Sequence, residues 1–226
     1  MPVRSAIAFQ SCADVPALGD AEIHVWSACV EGASPRAIAK AAHALLERLL
    51  RGYTPDGTVP RIERGPHGKP FAPDWPDLEF NLSHAGPQVL LAFARRQALG
   101  VDIEAETRRF SAGLARRFFA PRETAALERL PEPLRHTAFL HLWTHKEALL
   151  KALGVGLHFG LDRIEFALDE NGSVSSLHNC APAAGHVDTW RFQRLAPGPG
   201  LIAALAWQGA ARPVRALAVN AAFSTP

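Results

Sequence analysis

Apolar positions along the chain recur with two different periods, and the switches between them outline the fold. Glu22 to Val30 alternates, with Ile23 and Val25 on one side and His24 and Trp26 on the other, which predicts a strand. Ser34-Pro35 reads as an N-cap followed by proline at the first helical position. Ile38, Ala42, Leu45, Leu46 and Leu49 then repeat at helical spacing to about Arg51, with Gly52 as the stop. Residues 53–77 are rich in Pro, Gly and Asp and predict loop with short extended pieces. Leu78, Phe80 and Leu82 alternate with Glu79, Asn81 and Ser83, as in a strand with one buried face. Gly86-Pro87 turns the chain. Val89–Ala94 and Leu99–Glu104 are strands whose connection at Arg95-Arg96-Gln97 predicts an antiparallel hairpin.

Residues 105–153 are expected to be mostly helical, broken near Pro121, Pro131 and Pro133. Ile164–Leu168 predicts a strand, turned at Asn171-Gly172 so that residues 173–177 pair back. Thr189–Leu195 and Leu201–Trp207 predict two more strands around Pro197-Gly198-Pro199-Gly200. Residues 1–22 and 208–226 carry no strong pattern.

Composition narrows the class. With 226 residues and 48% hydrophobic content the chain can bury a substantial core, as one domain or two small ones. A net charge of +2 does not argue for a nucleic-acid partner. No apolar run approaches the ~18 residues of a membrane span, and no signal peptide is evident. Cys12, Cys29 and Cys180 are odd in number and far apart, without CxxC or CxxH spacing. Three reduced thiols in a cytoplasmic protein are expected.

The chemistry concentrates in a few short stretches. In Trp143-Thr144-His145-Lys146-Glu147-Ala148-Leu149-Leu150-Lys151, helical spacing puts Trp143, Glu147 and Lys151 close together on one face. Glu147 and Lys151 alone would be an ordinary surface ion pair. Yet only four of the 24 basic residues are lysine, namely Lys40, Lys69, Lys146 and Lys151, and two of them fall here. Lysine is a compact cation suited to meeting a phosphate oxygen. In Gly100-Val101-Asp102-Ile103-Glu104, a strand would point Asp102 and Glu104 to one face. With Glu147 they would supply three carboxylates for one hard cation, Mg²⁺ or Mn²⁺. Ser83-His84 ends a strand and fits phosphate binding; it is not a hydrolase triad, since no GxSxG elbow is present. Taken alone, His84 more commonly reads as an ordinary hydrogen-bonded turn histidine, and His67 and His145 read the same way. Gly68-Lys69-Pro70 places another rare lysine in a rigid turn, and no P-loop or GxGxxG occurs.

Taken in order, Arg64-x3-Gly68-Lys69-Pro70, Phe80-Asn81-Leu82-Ser83-His84, Gly100-Val101-Asp102-Ile103-Glu104 and Trp143-x2-Lys146-Glu147-Ala148-x2-Lys151 resemble the signature of the surfactin-type 4'-phosphopantetheinyl transferases, in their Trp/Lys-Glu-Ala branch. The resemblance covers about residues 60–170. It implies an α+β fold, a pseudo-dimer of two similar α/β halves spanning residues 1–98 and 99–226, with the site in the cleft between them. It implies transfer of the phosphopantetheine arm of coenzyme A to a serine of an apo acyl or peptidyl carrier protein, releasing adenosine 3',5'-bisphosphate. By the same resemblance Asp102, Glu104 and Glu147 would hold Mg²⁺. Arg64, Lys69, Pro70, Ser83, His84, Lys146 and Lys151 would bind coenzyme A. Glu147, Lys151 and His84 would act at the reaction, with Glu147 taking the serine proton and a metal-bound water or Glu123 as rivals for that role. The protein would be a monomer.

Thr107 to Phe119 interleaves Arg with Phe and fits docking of an acidic carrier protein, although Phe118 and Phe119 read equally well as core. One departure from the family stands out. Its long basic N-terminal helical region looks shortened here, offering Arg36, Lys40 and His43 before Leu45. A non-catalytic module binding coenzyme A or carrier protein is therefore the competing reading, with a metal-dependent phosphohydrolase on another fold behind it.

Overall fold

A computed structural model describes residues 2–109 and 112–220. Two sheets pack face to face, and each carries one long helix on its outer face. The first sheet has five strands: Gln10–Cys12 (β2), Val214–Val219 (β13), Ile23–Cys29 (β3), Gln88–Arg95 (β7) and Leu78–Ala85 (β6), in that order. The second has four: Val3–Ala8 (β1), Trp190–Ala196 (β11), Leu201–Gln208 (β12) and Leu99–Ala105 (β8). Between the sheets, Ile23, Val25, Leu90 and Ala92 meet Val101, Ile103, Leu205 and Trp207. Helix Pro35–Tyr53 (α1) covers the first sheet through Leu46, Leu49 and Leu50. Helix Glu132–Leu153 (α4) covers the second through Leu142, Leu149 and Leu150. A strand buried on both faces has no polar side to show. Hence β3 is buried from Ile23 to Ala28, His24 included, where alternation alone promises one wet face.

Helices Ala112–Phe118 (α2) and Pro121–Arg129 (α3) precede α4, and Pro133 sits in the first turn of α4 without breaking it. A proline there removes an N–H that has no intrahelical partner in any case. Two small antiparallel pairs complete the fold, Glu63–Arg64 (β4) with Pro70–Phe71 (β5) and Ile164–Leu168 (β9) with Val174–Cys180 (β10). The hairpin around Pro197-Gly198-Pro199-Gly200 forms as β11 and β12.

The expected β7–β8 hairpin does not form. β7 pairs with β6 and β3, whereas β8 pairs with β12 in the other sheet. Arg96, at φ 50°, carries the chain across from one sheet to the other. Gly52 does not end α1 either; the helix continues to Tyr53 and is capped at Thr54. A Cβ on Gly52 would lie 2.6 Å from the Val15 Cβ, so this glycine serves close packing. The unpatterned ends turn out to be strands that cross between halves. β1 joins the second sheet beside β11, and β13 joins the first beside β3, so the sheets do not divide at residue 98. Both pairings are parallel and between residues far apart in sequence, which local periodicity does not register. Among the described residues no helix is long and apolar enough to cross a membrane.

Candidate active site

Strand β8 lies at the edge of its sheet, and side chains from β6 and α4 close over that edge. The side chain of Asn81 accepts from the Val101 N–H at 2.9 Å, and Lys151 Nζ donates to the Val101 carbonyl at 3.2 Å. An open edge in the middle of a protein needs such partners. Alternation along β8 sends Val101 and Ile103 into the inter-sheet core and Asp102 toward α4. Gly100 makes the approach possible, since a Cβ there would lie 2.1 Å from the Ala148 carbonyl oxygen.

Asp102 is 5% exposed. Its Oδ1 accepts from Lys151 Nζ at 2.7 Å and from Ser83 Oγ at 2.8 Å, and Lys151 also donates to Ser83 Oγ at 2.8 Å. Its Oδ2 is buried without a hydrogen-bond partner. Two residues on, Glu104 is paired with Arg108, whose guanidinium lies 4.8 Å from the centre of the Trp143 ring. Trp143, Glu147 and Lys151 stand at four-residue intervals on α4. The outer two therefore connect to β8, Lys151 directly through Asp102 and Trp143 through Arg108 and Glu104. Glu147 is the rung between them. Burial pushes its carboxyl above the ordinary range and the nearby Asp102 carboxylate pushes it further; Lys151 and Arg108 pull it back.

A cavity of about 380 Å³ opens beside this cluster, walled by Arg64, Lys69 and Pro70 from the β4–β5 segment, Asn81 from β6, and Glu147 and Lys151 from α4. Lys69 reaches α4 from the β4–β5 loop, donating to the Ala152 carbonyl at 3.1 Å and lying 3.6 Å from Glu79. Burial holds the Lys69 ammonium below its usual range, and Glu79 counteracts it. Arg64 is exposed at the rim and donates to the Gly68 carbonyl at 3.0 Å. The chain thus places Arg64, Lys69, Pro70, Glu147 and Lys151 around one space, with Ser83 and Asp102 directly behind Lys151. His84 is exposed at the end of β6 and is not among the cavity walls.

Lys146 has other surroundings. It is 0% exposed, lies 2.7 Å from Glu123, donates to the Leu161 carbonyl at 2.8 Å and to that of Ile164, and rests 5.1 Å from the Phe119 ring centre. It is not among the residues that wall the cavity. Glu123, 1% exposed, also accepts from Ala120 N at 2.9 Å and Phe166 N at 2.8 Å, and like Lys146 it is not among the cavity walls. Helical position distinguishes the two lysines: Lys151 is four residues from Glu147, Lys146 only one, and so on another face.

Among the described residues no three Asp, Glu, His or Cys side chains stand together as a ready-made metal shell. Lys151 and Arg108 occupy Asp102 Oδ1 and Glu104. The donor chemistry still suits a hard divalent cation, because Asp102 Oδ2 is a buried carboxylate oxygen without a partner and Glu147, raised first by burial and then by Asp102, offers a second carboxyl within its field. Of the segment expected to dock a partner, Phe110 and Ser111 lie outside the described residues. Phe119 is core, stacked 4.8 Å from Phe139, whereas Leu114, Arg116 and Arg117 are exposed. Asn81 and Arg108 are the site residues whose roles the sequence does not disclose. Only their neighbourhood, a strand's polar face and an Arg-rich turn, hints at them.

Residues 98–206 match the family model of the 4'-phosphopantetheinyl transferase superfamily. The chain is 38% identical over 127 residues to the 4'-phosphopantetheinyl transferase Sfp of Bacillus subtilis, covering 56% of each protein. It is 39% identical over 115 residues to the B. subtilis 4'-phosphopantetheinyl transferase ffp, covering 51% of this chain and 50% of that relative. With the 4'-phosphopantetheinyl transferase HetI of Nostoc it shares 34% identity over 176 residues, 75% of this chain and 70% of HetI. The matches thus span about half the length of the two Bacillus relatives and more than two thirds of HetI. With Arg64, Lys69, Glu147 and Lys151 walling one cavity and a 34% identical relative matched over 70% of its length, the chain belongs to the 4'-phosphopantetheinyl transferase superfamily.

Proposed function

We propose that this protein transfers the 4'-phosphopantetheine arm of coenzyme A to a serine of an apo acyl or peptidyl carrier protein and releases adenosine 3',5'-bisphosphate. The observation that carries this reading is that Lys151, held by Asp102, lines one cavity together with Glu147, Arg64 and Lys69. Three cations around one cavity suit a molecule that carries both a phosphate and a diphosphate. On this reading Arg64 and Lys69 hold the nucleotide end, and Ser83 and Lys151 meet the phosphate under attack. Lys151 is held in position by Asp102, and it stabilises the negative charge that develops there. Glu147, with its carboxyl raised by burial and by Asp102, accepts the proton of the incoming serine hydroxyl. His84 is placed at the outer rim of the nucleotide phosphates.

Asp102, Glu104 and Glu147 are the residues proposed to hold Mg²⁺ or Mn²⁺. Such a cation would supply positive charge to offset the negative charge developing on the leaving group. The exposed Leu114, Arg116 and Arg117 on α2 are the proposed face for an acidic carrier protein. The two sheet–helix layers are read as the halves of a pseudo-dimer with the site in the cleft between them, and the protein as a cytoplasmic monomer. Chromatographic detection of adenosine 3',5'-bisphosphate tests the reaction. It is expected only with coenzyme A, an apo carrier protein and Mg²⁺ together, and it should vanish with EDTA. Release without carrier protein would instead indicate a hydrolase.

A further inference from the structure

Arg108 sits where a second cation would compete with any metal. The Arg108 N–H donates to the Ala105 carbonyl at 2.9 Å, a turn that folds the chain back over the end of β8. The turn is anchored at its base, because Glu106 N donates to the Gly200 carbonyl at 2.8 Å and His136 Nε2 meets the Glu106 carbonyl at 2.8 Å. The side chain above is freer. It is 44% exposed, while its partner Glu104 is only 14% exposed. Its other contact is the Trp143 ring, a non-directional attraction that tolerates sliding. Glu104 is thus a nearly buried carboxylate whose charge is met by one flexible, half-exposed guanidinium. Lys151, by contrast, is tied to Asp102, Ser83 and Val101 at once.

We propose that Arg108 is a displaceable counter-ion of Glu104, competing with the divalent cation for that carboxylate and thereby setting how much metal the enzyme needs. The inference rests on the proposed function, which supplies the cation. A guanidinium on Glu104 neutralises one of the three carboxylates and repels a dication placed among them. Binding of the metal at Glu104 then requires the guanidinium to leave that carboxylate, and its departure alters the environment of Trp143. Arg108 is a positioning residue, acting through its pairing with Glu104 and its contact with Trp143.

The test is a Mn²⁺ titration followed by electron paramagnetic resonance, without coenzyme A or carrier protein, on the wild type and on Arg108→Ala. Removing the competitor is expected to tighten Mn²⁺ binding by about tenfold. In parallel, tryptophan emission of the wild type should change as Mn²⁺ binds, to a degree lost in Arg108→Ala. A Trp143→Phe variant, which keeps Arg108, should lose the same signal and so assign it. Thermal unfolding of the variants reports whether the fold is kept; Arg108→Lys, a cation that cannot form the forked pair, gives an intermediate affinity if competition is the cause. Unchanged or weaker Mn²⁺ binding in folded Arg108→Ala would overturn the proposal. If the wild type then still modifies a carrier protein, only this inference fails. A wild type that neither binds Mn²⁺ nor transfers would remove the functional reading and this inference with it.

Discussion

Two lysines five residues apart on α4 lead opposite lives. Lys146 is enclosed, and every contact it makes is internal: Glu123, two carbonyls and the face of Phe119. Lys151 has a comparable set of partners but reaches a cavity, and the carboxylate it holds keeps one oxygen unpaired. Burial lowers the Lys146 ammonium and raises the Glu123 carboxyl, and each charge pulls the other back. The pair survives because the carbonyls and the Ala120 and Phe166 N–H groups complete it. A saturated buried cation is structure, whereas a cation beside an unsaturated carboxylate and an open space is a site. The chemical type of the residue does not make that difference; the completeness of its partners does.

Breaking the enclosed pair should give the largest effect, and on stability. Lys146→Met leaves Glu123 buried and unpaired and is expected to cost about 3–5 kcal/mol in urea unfolding. Glu123→Gln added to it should recover part of that loss. A Lys146→Met protein of wild-type stability would erase the contrast. On the other lysine the effect should fall on turnover. Lys151→Ala is expected to lower transfer by about 100- to 1000-fold, on the scale of losing one donor to a developing oxyanion, with a smaller change in the unfolding midpoint.

The same helix offers a third comparison, through pH. His145 and His141 are kept neutral by burial, which lowers their pKa values to about 3 and about 4 from the ordinary 6.5. Between those values and 6.5 the unfolded chain binds more protons than the folded one. Their contribution is therefore complete above pH 6.5 and is lost as the pH falls, at about 1.4 kcal/mol per pH unit for each imidazole. His145→Phe should remove one such slope from urea midpoints measured between pH 6 and 4. The smallest effect is expected at Ser83, which both accepts from Lys151 and donates to Asp102. Ser83→Ala leaves those two charges paired with each other and should cost about 1 kcal/mol in stability or turnover.

Much of this site is legible in the sequence. Asp102, Glu147 and Lys151 stand out because a two-residue period and a four-residue period each fix a face. Those faces do meet, through the gap that Gly100 leaves for α4. Periodicity cannot say which strand neighbours which. It therefore pairs β7 with β8, when one residue in a left-handed conformation sends the chain to the other sheet. Nor can it find β1 and β13, whose partners lie at the opposite end of the chain. The surroundings of Lys146 are hidden for a related reason. Its partner Glu123 is 23 positions away on another helix and no local pattern links them.

The most direct test is the intact mass of an apo acyl carrier protein after incubation with coenzyme A, Mg²⁺ and this protein, beside the Asp102→Ala variant. A mass gain of one phosphopantetheine group is predicted with the wild type and none with the variant. No gain on acyl or peptidyl carrier proteins, from a wild type that binds coenzyme A, would contradict the transferase reading and leave a binding module in place of an enzyme.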